Sequence, residues 1–203
     1  MKYFEVIFDT ETKKFFDEIE GYDPSLLGVS ITSAYIRTLD EDLKETEGEM
    51  KSFWEEDLKE LFKLFEKADR IVGFNSISFD VPALSPYLPS HWDKLPHFDI
   101  LEKIKTAGGK RVSLNSLAIA TLGTKKSDHG ENAIKYWNAG DPASLAKLKK
   151  YCETDVMITK NVYDHALQNG ILKYIDFWNE THEVKLDFGY PKEETNTAQH
   201  SLF

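Results

Sequence analysis

The chain is poor in cysteine and in basic residues, and it lacks long apolar runs. Its single cysteine, Cys152, excludes an internal disulfide framework and a cysteine-rich zinc site. No stretch approaches the roughly 18 consecutive apolar residues of a membrane-spanning helix, so we expect no membrane partner. The first residues (MKYFEV) enter a strand-like pattern directly, without the apolar core of a signal peptide. Together these absences predict a cytoplasmic protein in a reducing compartment.

Lysine and arginine number 25 against 35 acidic residues, which gives a formal net charge of −10. This balance argues against a generally basic nucleic-acid coat, because phosphate binding usually leaves a positive footprint. It does not exclude a polyanionic substrate, since an active site built of carboxylates and divalent metal itself adds negative formal charge. The length of 203 residues and the hydrophobic share of 41% are typical of one globular domain. We expect that domain at residues 1–190 and a flexible polar tail at 191–203.

Hydrophobic periodicity predicts a sheet flanked by helices. Strand patterns occur at residues 3–8, 27–36, 70–74 and 97–100, and less distinctly within 171–188. Helical patterns occur at residues 50–67, 80–88, 113–122 and 141–168. The last of these is interpreted as one helix or as two that meet near Tyr151. Strands followed by alternating helices and strands indicate an α/β fold with a mixed sheet.

Two acids, Asp9 and Glu11, follow the first predicted strand. In an extended backbone, positions i and i+2 point to the same side, so these carboxylates can share a hard cation that prefers oxygen ligands. The alternative is a turn in which Asp9 only caps a bend.

Two further acid positions follow later in the chain. Asp80 ends the segment 73–80 (GFNSISFD), where a helix is predicted to begin, and the alternative is an ordinary helix N-cap. Tyr151 and Asp155 are four residues apart and therefore share one helix face. The alternative there is an exposed aspartate beside a core tyrosine. The combination is more specific than any of its parts.

Three segments of the sequence resemble the three motifs of the DEDD superfamily of 3′-to-5′ exonucleases, and they occur in the order that the family requires. They are residues 8–12 (FDTET), 73–80 (GFNSISFD) and 151–155 (YCETD). The tyrosine in the third motif is typical of the branch that includes polymerase proofreading domains and ribonuclease D. The resemblance spans roughly residues 3–168. It implies a ribonuclease H-like mixed β-sheet flanked by helices, the DnaQ-like exonuclease fold.

The resemblance also implies the roles of individual residues. Asp9, Glu11, Asp80 and Asp155 would hold two divalent metal ions, Mg²⁺ or Mn²⁺, with Tyr151 beside the attacking water. The implied substrate-binding residues are Thr10, Asn75 and Phe79, although core packing is an equal alternative for Phe79.

The chemistry of phosphodiester hydrolysis explains such a set. The anionic phosphodiester repels hydroxide, and two metals roughly 3.5–4 Å apart can activate water on one side and stabilise the leaving 3′ oxygen on the other. A tyrosine with an ordinary pKa near 10 is a poor general base at neutral pH, so Tyr151 is expected to orient the water. The expected reaction shortens DNA from a single-stranded or frayed 3′ end and releases nucleoside 5′-monophosphates.

The chain ends with Gln199, two intervening residues, Leu202 and Phe203. This pattern resembles the short peptide by which bacterial replication and repair proteins bind the β sliding clamp, with apolar anchors on a flexible tether. The alternative is a C-terminus that docks onto its own core. Clamp binding would favour DNA over RNA and a role in proofreading or repair.

Three other functions remain open at this point. A haloacid dehalogenase-type phosphatase also begins with an aspartate after a strand, but its pattern requires aspartate where Glu11 stands. A ribonuclease D-type enzyme would trim RNA, and a degenerate exonuclease fold would act only as a clamp- or DNA-binding module.

Lysine groups at residues 13–14, 110–111, 125–126 and 147–150 either follow a strand's phosphates or form solvated surface. The roles of Asp99 and His129 stay undecided.

Overall fold

A computed structural model describes residues 2–124 and 131–190 of the chain. Its central strand is β1 (Tyr3–Thr12). The other strands of the main sheet are β2 (Val29–Leu39), β3 (Glu45–Trp54), β4 (Arg70–Gly73) and β5 (His97–Asp99). They form a five-stranded sheet in the order β3-β2-β1-β4-β5. β2 and β3 pair antiparallel, whereas β4 and β5 run parallel to β1, so the sheet is mixed.

Helices cover both faces of this sheet. They are α1 (Leu58–Phe65), α2 (Asp80–Leu84), α3 (Ile100–Thr106), α4 (Leu114–Leu117), α5 (Glu131–Ala139) and α6 (Pro142–Asn169). A π-helical turn, Ala118–Leu122, continues α4. A separate antiparallel hairpin of β6 (Ile171–Ile175) and β7 (Thr181–Lys185) follows α6.

Side chains of β1 alternate between the two hydrophobic cores. Val6 and Phe8 pack with α1 and with Trp92 on one face. Ile7 packs on the other face with the apolar side of α6 and with the β6–β7 hairpin. Both faces of β1 are therefore buried, which explains its nearly continuous apolar sequence. A strand fixed on both faces is a rigid support for any group at its end.

The longest helix, α6, has 28 residues and begins at a well-formed cap. The carboxylate of Asp141 accepts the N–H groups of Ala143 (3.0 Å) and Ser144 (3.1 Å), and Pro142 occupies the first turn. The helix ends at Gly170, whose φ of 68° is the left-handed conformation that glycine adopts easily. It is continuous through Tyr151, so of the two interpretations the single helix is the correct one.

The predicted helix at residues 50–67 is wrong in its first part. Met50–Trp54 belongs to β3, where Met50 lies opposite Tyr35 and Trp54 opposite Ile31 on β2. Only α1 keeps the predicted amphipathic face. The aromatic residues at 53 and 54 fit both periodicities, and the pairing with β2 that decides between them is not a local property of the sequence.

The predicted fold class, an α/β arrangement with a mixed sheet flanked by helices, is confirmed. Two helices, α3 and α5, were not predicted, and the indistinct pattern within 171–188 forms two strands instead of one. Among the described residues, no helix is both long enough and apolar enough to cross a bilayer.

Candidate active site

The carboxyl-terminal half of β1 extends beyond its neighbour β4. Pairing with β4 ends at Ile7, which lies opposite Val72, whereas pairing with β2 continues to Thr12. Asp9 and Glu11 lie on this extension, half-buried and two residues apart. Because the backbone stays extended there, their side chains share one face, and the alternative of Asp9 as the cap of a bend is wrong.

The side chain of Asp80 lies against the edge that β4 leaves open. Its Oδ1 accepts the backbone N–H of Thr10 at 2.9 Å. The N-cap position of α2 is Phe79 and makes no side-chain cap, so Asp80 is the first helical residue and not the predicted alternative of an N-cap. Burial, together with the nearby charge of Asp99, raises the pKa of Asp80 to about 7, although the Thr10 hydrogen bond lowers it.

The helix α6 brings the third motif to the same place. The thiol of Cys152 donates to the carbonyl oxygen of Asp9 at 3.4 Å, which fixes the helix against β1. Tyr151 is 7% exposed and Asp155 5%, so the alternative of an exposed aspartate is wrong. Burial, followed by the negative charges of Asp155, Glu11 and Asp9, raises the pKa of Tyr151. Its hydroxyl therefore stays protonated at neutral pH.

One cavity of about 340 Å³ collects most of the predicted site. It is lined by the four predicted metal-binding acids and the three predicted substrate-binding residues: Asp9, Glu11, Asp80, Asp155, Thr10, Asn75 and Phe79. Tyr151 lies beside it, within electrostatic reach of three of these acids. Residues from three distant parts of the chain thus meet at the end of β1.

The donor atoms of this cavity suit a hard divalent cation. Carboxylate oxygens of Asp9 and Glu11 and the sulfur of Cys152 lie within 4.8 Å of one another. Burial and the charges of Asp9 and Glu11 raise the pKa of the Cys152 thiol well above its usual value, so the sulfur stays protonated and is a poor ligand. The remaining oxygen donors favour Mg²⁺ or Mn²⁺ over soft metals.

Asp99, whose role the sequence left undecided, shapes the loop after β4. Its carboxylate accepts the N–H groups of Asn75 (2.9 Å) and Ile77 (3.1 Å), and it also caps α3 through Leu101 N–H. Asn75 has a φ of 60°, in the left-handed region that asparagine tolerates better than most residues. Asp99 thus holds Asn75 at the cavity wall and does not itself line it.

Sequence reasoning missed an aromatic part of the cavity. Phe15 and Phe16, directly after β1, line it together with Phe79, and the rings of Phe16 and Phe79 are 6.2 Å apart. Phe79 is half-buried and does not belong to the buried core clusters, which argues against core packing. The available signal was a pair of adjacent phenylalanines in an acid-rich turn immediately after the first motif.

The lysine groups have different surroundings. Lys13 forms an ion pair with Glu55 and lies 5.0 Å from the Trp137 ring centroid, whereas Lys14 lines the cavity. Residues 125–126, His129 and the predicted clamp-binding residues Gln199, Leu202 and Phe203 lie outside the described residues.

Comparisons with known proteins give one family match. The family model described as the RNase_H superfamily matches residues 6–167. No curated protein sequence matches the chain. Among solved structures, the family B DNA polymerase of the hyperthermophilic archaeon Pyrobaculum calidifontis has a TM-score of 0.57 at 21% identity. That match covers 81% of this chain but only 24% of the polymerase chain.

Two structures of Escherichia coli exonuclease I are also similar. The zinc-bound complex with single-stranded DNA has a TM-score of 0.49 and the complex with a dA16 oligonucleotide one of 0.47, both at 14% identity. Each match covers 82% of this chain and 41% of the exonuclease I chain. The chain therefore spans less than half the length of these solved proteins.

Proposed function

The chain belongs to the RNase H superfamily, and from the acids that its fold gathers we infer that it is a metal-dependent nuclease. The ribonuclease H-like fold expected from the motifs is confirmed by this membership. One observation carries the inference: Asp9 and Glu11 from β1, Asp80 from α2 and Asp155 from α6 line a single cavity. Four acids collected at one point from distant segments are costly for stability and are typical of a cation site.

More specifically, we propose a 3′-to-5′ exonuclease that releases nucleoside 5′-monophosphates. Asp9, Glu11, Asp80 and Asp155 would hold two divalent ions, Mg²⁺ or Mn²⁺, which supply charge neutralisation, water activation and stabilisation of the leaving 3′ oxygen when bound. The protonated hydroxyl of Tyr151 acts as a hydrogen-bonding group that orients the attacking water, because its raised pKa makes it unsuited to accept a proton.

The cavity wall supports binding of a terminal nucleotide. In the proposal, the side-chain amide of Asn75 bonds to that nucleotide and Phe79 packs against its base, with Phe16 behind the Phe79 ring. Thr10 contributes at the floor, where its backbone N–H already fixes Asp80. Lys14, at the rim, can contact a phosphate. Asp99 acts through the loop that carries Asn75.

We propose DNA as the substrate and the sliding clamp as a partner. The negative net charge of −10 suits a site that holds a few terminal nucleotides better than one that grips long duplex. Gln199, Leu202 and Phe203, on the proposed flexible tail 191–203, would bind a bacterial-type β clamp. Deleting residues 199–203 should leave the cleavage of free oligonucleotides unchanged and abolish clamp binding in a pull-down; unchanged clamp affinity would refute this part.

The experiment that tests the enzyme proposal follows a 5′-labelled single-stranded DNA and its RNA counterpart with Mg²⁺, Mn²⁺ or EDTA. We expect a metal-dependent ladder that shortens from the 3′ end, faster on DNA. Asp155→Ala should give no ladder, whereas Asp42→Ala, an exposed aspartate in the β2–β3 turn, should behave as the wild type. A faster ladder on RNA would favour the ribonuclease D-type alternative. No ladder on either, from folded protein, would favour a binding module.

A further inference from the structure

The turn between β6 and β7 exposes two large aromatic side chains. Phe177 is 94% exposed and Trp178 71%, and their rings meet edge to face with centroids 5.9 Å apart. Adjacent aromatic residues in full contact with water are unfavourable unless something binds them, so such a patch indicates an interaction site.

The turn that carries these rings is well ordered by hydrogen bonds. The carboxylate of Asp176 accepts the backbone N–H groups of Trp178 (2.9 Å) and Glu180 (3.0 Å), and its other oxygen lies 2.8 Å from Nε2 of His182. Asn179 adopts a φ of 62°, which closes the turn. The two aromatic residues are thus displayed by a fixed turn.

The hairpin is also fixed to the body of the protein. Ser116 Oγ accepts the N–H of Ile175 (2.8 Å) and donates to its carbonyl (2.7 Å). Thr121 Oγ1 makes the same pair of bonds with Lys173, at 2.9 and 2.7 Å. The α4 segment therefore serves as a lateral partner for β6 and sets the position of the turn.

A second cavity adjoins the candidate active site and reaches Arg111, whose neighbour in sequence, Lys110, contacts the hairpin. It has a volume of about 510 Å³ and is lined by Arg111, by residues 112–114 and by Leu101. Phe74 and Asn75 line both this cavity and the one that holds the four acids. Because they share these two residues, the two cavities adjoin each other on the protein surface.

Cationic side chains lie along that surface. Arg111 is exposed and makes no ion pair with any residue in the described ranges. Its neighbour Lys110 lies with Nζ 5.2 Å from the Trp178 ring centroid and 3.6 Å from Asp176, while its backbone N–H donates to the hydroxyl of Tyr174. Along the surface the groups therefore follow in this order: the four acids, Asn75 between the two cavities, Arg111 in the second cavity, Lys110 beside it, and Trp178 on the hairpin.

We propose that Phe177 and Trp178 stack on bases of the substrate strand on the 5′ side of the terminal nucleotide, after the strand has passed Arg111. This inference rests on the proposed function, because it assumes that a 3′ end occupies the cavity with the four acids. Stacking on aromatic side chains together with cations along the backbone is the usual way in which single strands are held without regard to sequence. The two cations and the continuity with the acid-lined cavity favour a nucleic acid over a protein at this turn.

The test measures the affinity of oligothymidylates of 3 to about 15 nucleotides in EDTA, by calorimetry, for the full chain. Affinity for the wild type should rise with length and then level off once the strand reaches the hairpin. The double variant Phe177→Ala, Trp178→Ala should bind the longest oligonucleotide at least about tenfold more weakly, and the trinucleotide as the wild type does. Phe177→Tyr with Trp178→Phe should retain wild-type affinity, because both rings can still stack.

Two further variants sharpen the result. Met157→Ala, which removes an apolar side chain that is 36% exposed on α6, should change nothing. Arg111→Gln should reduce the slope of log K against log salt by about 0.7, the contribution of one phosphate contact on a single strand.

Equal affinity of the alanine double variant and the wild type for every length would overturn the inference while leaving the proposed exonuclease intact. The turn would then be a candidate for docking a protein. A wild type that neither binds nor degrades any oligonucleotide would overturn both proposals, so the two failures are distinguishable.

Discussion

The two ends of β1 each bury a carboxylate, and they treat it in opposite ways. At the first end, Glu5 is fully buried and accepts hydrogen bonds from Arg37 Nε (2.9 Å) and from the hydroxyls of Tyr163 (2.7 Å) and Tyr190 (2.8 Å). A second guanidinium, that of Arg70, donates to the Tyr163 hydroxyl at 2.6 Å. The negative charge of Glu5 is therefore compensated by a neighbouring arginine and by hydrogen-bond donors of the protein.

At the other end, Asp80 is 3% exposed and is held by the Thr10 backbone N–H. No arginine or lysine within residues 2–124 and 131–190 forms an ion pair with it. The other charged residues that line its cavity are three acids and Lys14, and burial raises the pKa of Asp80 to about 7. The protein has concentrated like charges there instead of cancelling them.

The contrast separates structural carboxylates from functional ones. A buried ion pair such as Glu5–Arg37 is costly to break, because removal of one partner leaves the other charge uncompensated. A group of like charges is destabilising in itself and persists where function requires it, in our proposal to bind a divalent cation. Substitution of a cavity acid should therefore lower activity and leave stability nearly unchanged, whereas substitution of Glu5 should lower stability and leave activity nearly unchanged.

The largest expected effect is that of Asp155→Ala on activity. Loss of this acid should lower the rate of 3′-end cleavage by about a thousandfold, the upper range for removal of one preorganised charged group. The free energy of unfolding should change little. A matched control is Asp164→Ala on the same helix, whose carboxylate pairs with Arg37 at 2.7 Å. That variant should lose stability and keep its cleavage rate at low temperature; equal loss of activity in both would contradict the contrast.

Glu5→Ala should have the next largest effect, on stability. It leaves Arg37 buried without its main partner and should lower the free energy of unfolding by about 3–5 kcal/mol in urea titration. The cleavage rate per folded molecule should stay near that of the wild type. A loss below about 1 kcal/mol would show that the network does not stabilise the fold.

Tyr151→Phe should reduce cleavage less than Asp155→Ala does. We expect a loss of about 10- to 100-fold, typical of a group that positions a reactant without bearing charge. Steady-state kinetics should show the loss in kcat with little change in KM. A loss equal to that of the aspartate variant would argue against an orienting role.

The smallest expected effect is that of Asp80→Asn on stability in EDTA. The folded pKa of Asp80, about 7, lies above the ordinary aspartate value. Its contribution to stability is therefore fully present below the ordinary aspartate pKa of about 4 and is lost progressively as the pH rises from there to about 7. At pH 8 the amide should raise the free energy of unfolding by at least about 1.4 kcal/mol, the value of one pKa unit. At pH 3, below the ordinary aspartate pKa, this gain should be absent; a gain independent of pH would contradict the assigned cause.

Much of the site could be predicted because its chemistry is encoded in short spacings. Asp9 and Glu11 alternate correctly on a strand, and Tyr151 and Asp155 share a helix face, so local periodicity was enough to group them. The motif order also gave the fold class.

The remaining features depend on contacts between distant parts of the chain. Residues 50–54 of β3 fit the helical pattern predicted for 50–67, and only their pairing with β2 shows that they form a strand. Asp99 holds Asn75 across 24 residues, and Phe16 meets Phe79 only once the sheet has formed. No local pattern records such partners.

The most direct test of the contrast is the number of Mn²⁺ ions bound per chain, measured by electron paramagnetic resonance in the presence of thymidine 5′-monophosphate. We predict two ions for the wild type, the same number for a folded Glu5→Gln variant, and fewer for Asp155→Ala. Absence of bound Mn²⁺ in the wild type, or an unchanged number in Asp155→Ala, would contradict the assignment of this end of β1 as a metal site.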